Sequence, residues 1–278
     1  VISAVLALTA SGLWGSSYFL GGSISRRMPA ITVLFIAQPL ILVGTCVIVV
    51  GRGLVPDLSA IGWGVLAGLA AIGAMFTLYR AMAHAPMGVV APIGASAAVL
   101  PVVVGLATGE RPSVLQLSGV AAALAGVALV ARAPGSTGKT SRYALLMAVV
   151  SAVFVGIVYT AVPLGAQADA TTTLIVQRIT MTALTAAIVL ATRQQISVEP
   201  GSLGRIAIIA GTEIAANVAY SMAATRPGAM LSVVSALASL SPVVTALIAR
   251  QVLAERLSRL QLAGVAVTIA GVAGAAAA

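Results

Sequence analysis

The chain has 278 residues, 60% of them hydrophobic and only 8% charged, and its mean hydropathy is +1.12. A soluble domain carries about 25% charged residues, so this composition excludes a water-soluble globular fold and points to a membrane protein. The net charge of +9 is spread singly over short connections, with no basic run and no interleaved aromatics. That excludes a nucleic-acid surface and reads as charge facing lipid headgroups.

In chain order, ten apolar runs fall near residues 2–22, 31–50, 58–79, 86–108, 113–131, 143–165, 171–191, 203–223, 227–249 and 258–277. About 20 such residues cross a hydrocarbon core of about 30 Å. The runs are continuous rather than alternating, and a helix satisfies its own backbone hydrogen bonds in lipid. The expected fold class is therefore an all-α polytopic membrane protein.

Span one carries Trp14 and Tyr18 one turn apart, beside Gly15, Ser16 and Ser17. Span two carries Gln38 and the lone Cys46, so no intrachain disulfide forms. Span three carries Trp63 near its start and Tyr79 at its end, with Gly64 and Gly68 at close-packing spacing. Span four holds "PIGASAAVLP", with Ser96 and Pro101. The polar stretch Arg132 to Arg142 after span five looks like a joint between two halves. Tyr143 and Tyr159 bracket span six, Arg178 lies in span seven, and Glu213, Asn217 and Tyr220 share a face of span eight. Span nine holds "VVSALASLSP", with Ser235, Ser239 and Pro242. No cleavable leader is evident at the apolar N-terminus.

The second half echoes the first. "ERPSVLQLSGVAAALAGVAL" from Glu110 matches "ERLSRLQLAGVAVTIAGVAG" from Glu255 at thirteen of twenty positions. Tyr79 to Pro101 aligns without a gap on Tyr220 to Pro242, an offset of 141, while Trp14 falls on Phe154 and Leu34 on Leu174 at 140. Each half, 1–135 and 136–278, has five spans. With an odd number, homologous halves enter the membrane from opposite sides. The expected architecture is two inverted five-helix repeats around a central cavity, as in many secondary transporters.

The five-span unit, the mid-span proline, "GER" at Gly109 to Arg111 with its echo "AER" at Ala254 to Arg256, and the glycine-rich last span carry a family resemblance. The chain resembles the EamA-type members of the drug/metabolite transporter superfamily over essentially its whole length. The resemblance implies a ten-helix carrier of small metabolites, often working outward. Its relatives include amino acid exporters, among them the aromatic amino acid exporters of the YddG type. It also implies a bacterial plasma membrane.

Several residues are candidates for the substrate path. Pro101 and Pro242 are expected inside spans four and nine, freeing the carbonyls of Ala97 and Ala238. With Ser96 and Ser239 they offer polar groups to a cavity, or they only kink the helices. Trp14, Tyr79, Asn217 and Tyr220 are further lining candidates. Glu213 at mid-span needs a partner, and Arg178 lies within about one helical turn of it in depth. The two are either a structural ion pair or a coupling and substrate-ammonium site. Helices one, three, four, six, eight and nine are expected around the cavity, with spans five and ten packed outside.

One His and one Cys form no metal-ligand cluster, and no phosphate loop or Ser/His/Asp set is present. No enzymatic role and no cofactor are expected. Besides an amino acid exporter, the sequence leaves open a proton-coupled exporter of drugs or other metabolites, and a non-transporting channel or scaffold. The partners are a small solute and the bilayer, the chain acting as a monomer or weak homodimer. Of fifteen Lys and Arg, eleven fall at odd-numbered connections and three at even ones. This bias puts both termini outside, whereas the resemblance implies cytoplasmic termini. Both place the termini on one side.

Overall fold

The computed structural model of the chain describes residues 2–50, 57–100, 103–104, 113–132, 141–224, 226, 237–238, 240–253 and 258–277. Among these residues there are helices and no strand. They are α1 (Ile2–Ile24), α2 (Ala30–Val50), α3 (Leu58–His84), α4 (Met87–Ala95) with a 3-10 turn at Ser96–Ala98, α5 (Val114–Arg132), α6 (Arg142–Thr192), α7 (Ser202–Ala224), α8 (Ser241–Val252) and α9 (Arg259–Ala277). The helices begin where the sequence supplies caps: Asp57 accepts from the Ser59 amide at 2.8 Å, and Ser141 from the Tyr143 amide at 3.2 Å.

At 51 residues, α6 would be about 77 Å long if straight. It is not straight. Asp169 takes an extended conformation (φ −156°, ψ 113°), and its side chain accepts from the Thr172 amide, so it caps a second helical arm. The contacts with α3 show the reversal. His84 lies edge-on to Tyr143 at 5.8 Å, Ser151 donates to the Ala74 carbonyl at 3.0 Å, and Trp63 meets Gly165. The first arm, 142–168, thus runs antiparallel to α3. In the second arm, 170–192, Gly64 faces Thr173 and Gly68 faces Gln177, a parallel course. Spans six and seven are therefore separate passes joined by a one-residue break.

The surface and interior are inverted relative to a soluble protein. Val47 (69%) and Leu190 (76%) are exposed, while Thr173, Gln177, Arg178 and Glu213 are buried. The helices α2, α3, α6 and α7 are long and apolar enough to cross a membrane. The chain is an integral, multi-pass membrane protein.

The two ends of the bundle gather different connections. Arg26 Nε donates to the Met82 carbonyl at 3.3 Å, Arg27 pairs with Glu199 at 3.2 Å, and His84 meets Tyr143. These contacts draw the first, third and seventh connections and the start of α6 to one end. At the other, the Asp57 amide donates to Thr172 at 3.2 Å, joining the start of α3 to the break in α6.

Contacts also pair up across the halves. The α1 helix packs antiparallel on α7, with Trp14 5.5 Å from Tyr220 and Ala7 clustered with Ala223, as α3 packs on the first arm of α6. Gly15 lies against the Ser241 carbonyl and Val244, and Gly156 against the Ala97 carbonyl and Leu100. In both, a β-carbon would come within 3.0 Å of backbone and side chain, so only glycine allows the helices this close. The α5 and α9 helices pack on each other, Gly126 lying against Gly264 and Thr268.

The ninth span, expected over 227–249, falls largely outside the described residues, and α8 starts only at Ser241. Pro242 occupies the first turn of α8, where its missing N–H costs nothing. It is not the mid-helix kink expected from the sequence. Pro39 and Pro163 do lie inside helices, α2 and α6.

Candidate functional site

One cavity lies among α1, α2, α3, both arms of α6 and α7. In the repeat these are spans one, two and three with their counterparts six, seven and eight. The space open to the centre of a water-sized sphere is about 110 Å³. A single water needs roughly 10–15 Å³ by that measure, so the cavity has room for several waters or one small solute.

Its walls are aromatic and polar in a chain that is mostly neither. Four of the five tyrosines, Tyr18, Tyr79, Tyr159 and Tyr220, line it together with Trp14. Tyr79 and Tyr220 are 141 apart, the repeat offset there, so that ring position recurs from both halves. Pro163 also lines the cavity; a proline there leaves the Tyr159 carbonyl without its helical donor.

The polar centre is Glu213. Its Oε2 lies 3.5 Å from Arg178 Nη2, both side chains being under a tenth exposed. Ser17, fully buried, donates to Glu213 Oε1 at 3.2 Å, and Trp14 is a further side-chain hydrogen-bond partner of the carboxylate. Ser17 in turn bonds the Tyr79 hydroxyl. Asn217 Nδ2 donates to the Glu213 carbonyl at 2.6 Å, one turn back along α7. A carboxylate buried in lipid is stable only when so held. The network ties α1, α3, α7 and the second arm of α6 to one group.

The structure thus brings Trp14, Tyr79, Arg178, Glu213, Asn217 and Tyr220 to one cavity. Ser96 and Pro242 do not line it. Ser96 donates back to the Ile93 carbonyl at 2.7 Å, and Pro242 packs toward Gly94, so these residues serve contact between α4 and α8. Pro101 and Ser239 lie outside the described residues. Among the described residues, spans two and seven belong to the wall as well, while much of spans four and nine lies outside the described residues. The sequence did not single out Gln177, and it marked Tyr159 only as bracketing span six. The signal for Tyr159 was present, in its repeat counterpart Phe19 (159 less 140).

Residues 142–277 match the EamA-like transporter family. No curated protein compared with the chain matches it. Among solved structures 23 chains match. One, described only as the crystal structure of a protein, superposes with a TM-score of 0.71 at 17% identity, covering 98% of this chain and 96% of its own. At that identity the likeness shows a shared fold. The matched family is one of membrane transporters of small molecules.

Proposed function

We propose that the whole chain, not only the matched second half, is an EamA-type secondary transporter. In this reading ten crossings form two inverted five-helix halves, 1–135 and 136–278, that close alternately around one cavity and export small metabolites. The observation that carries it is the cavity wall: three spans from each half, with equivalent tyrosines at Tyr79 and Tyr220 and equivalent polar positions at Gln38 and Arg178. The antiparallel pairings of α1 with α7 and of α3 with the first arm of α6 support the inversion. So does the sorting of odd and even connections to opposite ends.

Amino acids with aromatic or hydrophobic side chains fit the wall best. A flat apolar group stacks among Trp14, Tyr159 and Tyr220. The solute carboxylate takes Arg178, whose fork suits a planar anion, and its ammonium takes Glu213. A zwitterion thereby exchanges one internal ion pair for two intermolecular ones, and no net charge enters the membrane.

Uptake and counterflow in proteoliposomes, against a panel of amino acids with and without a pH gradient, test the proposal. Saturable counterflow of at least one panel member is expected. Trp14→Ala and Asn217→Leu should each slow it by roughly tenfold or more while the protein stays folded. Unsaturable flux would indicate a channel instead, and full activity of both well-folded variants would place the path elsewhere.

A further inference from the structure

We propose that Gln38 is a ligand-reading residue of this cavity, its side-chain amide accepting a hydrogen bond from an N–H group of the bound solute. This rests on the transporter reading above and deepens it. Gln38 is 3% exposed, it lines the cavity, and its Oε1 is buried without a hydrogen-bond partner. Buried amide oxygens in folded proteins are almost always paired, and leaving one unpaired costs about tenfold or more in stability.

Other buried atoms in the same condition differ in kind. The hydroxyls of Ser11, Ser25, Thr32 and Ser202 lack partners too, but a hydroxyl in a helix can rotate onto a carbonyl one turn back. None of the four lines the cavity. The Gln38 oxygen is an acceptor and cannot pair with a carbonyl in that way.

The repeat says what is missing. Position 38 corresponds to Arg178, an offset of 140. Arg178 is satisfied by Glu213. The first-half counterpart of Glu213 is Ile72 (213 less 141), a buried apolar side chain. The first half therefore keeps the polar position and lacks its protein partner, and the group that completes it comes from the cavity. Among the described residues, Arg178 and Glu213 are the only formal charges in the wall and they cancel. The solute class is thus neutral or zwitterionic, carrying an N–H donor on one side of its polar end.

Two measurements test this on purified full-length protein in detergent. In the first, the unliganded melting temperature of Gln38→Met, which keeps volume and removes the polar atoms, is compared with the unsubstituted protein. An unchanged or higher value is expected, because an unmet acceptor has been removed. A value lower by several degrees would show a structural bond and overturn the proposal.

In the second, calorimetry compares L-phenylalanine with 3-phenylpropionate, which lacks the α-ammonium. The unsubstituted protein should favour the amino acid, and Gln38→Met should reduce that preference by about tenfold. Undiminished preference in the variant overturns the proposal. If the unsubstituted protein binds neither compound, the amino-acid reading fails, and the melting comparison alone decides the role of Gln38.

Discussion

Glu213 collects hydrogen bonds or charge from α1 and α6, through Ser17 and Arg178. Removing its charge strands the guanidinium. Glu213→Gln should lower stability by about 3–5 kcal/mol, the range for breaking one side of a buried pair, and adding Arg178→Gln should recover part of the loss. Melting of the two variants in detergent checks this; a double variant no better folded than the single one would mean that the pair is not the stabilising contact. A second residue-scale expectation concerns Arg193, which closes α6 in the left-handed region at φ 48°. Arg193→Gly should stabilise by about 0.5–1 kcal/mol, since glycine meets no β-carbon penalty there. At this scale the sequence was informative about Glu213, because a carboxylate at mid-span demands a partner. It was silent about Ser17, one hydroxyl among several in a small-residue run.

Among elements, the hairpin in α6 is the feature that sequence left least visible. Spans six and seven were separable by hydrophobicity and length, but the turn between them carries no glycine or proline to mark it. Its reversal rests on Asp169, whose side chain and carbonyl are met by Thr172 and Thr173. Asp169→Ala should cost about 1 kcal/mol, the usual value of a helix cap, read as a lowered melting temperature. The prolines teach the same lesson. Pro101 and Pro242 stood out because the repeat preserves both, yet Pro242 starts a helix. Pro163, which the repeat replaces by Ser23 (163 less 140), sits in the cavity wall. Repetition reports what both halves need for folding, whereas a cavity can use what only one half has. Close packing was legible as a motif but not as an address. Gly68 lies against the Gln177 carbonyl and Thr180, where an added β-carbon would come within 2.8 Å of the backbone. Gly68→Val should therefore cost about 1–3 kcal/mol through overpacking, with α3 pushed off the second arm of α6 and the cavity deformed.

Across the whole molecule, the charge bias and the structure describe the same polarity in different terms. The odd-numbered connections hold most of the cations, and Arg27 with Glu199 and Arg26 with Met82 tie three of them together at one end. Single cysteines placed at Ser141 and Gln195, in a Cys46→Ser background, should react with an impermeant thiol reagent from one side of intact cells. A cysteine at Ser59 should react only from the other. Labelling of Ser141 and Ser59 from the same side would break the topology.

The membrane class, the number of apolar runs and the doubled pattern followed from the sequence by itself. These depend on summed hydrophobicity and on identity at fixed offsets, and neither needs a neighbour. Which helix faces meet was decided only in three dimensions. Spans that are apolar all round carry no stripe to say which side turns inward, so rotation about each axis is set by contacts such as Gly15 on Ser241 and Gly68 on Gln177. That rotation alone put Tyr18, Gln38 and Tyr159 beside Glu213 and left Ser96 and Pro242 outside the cavity wall.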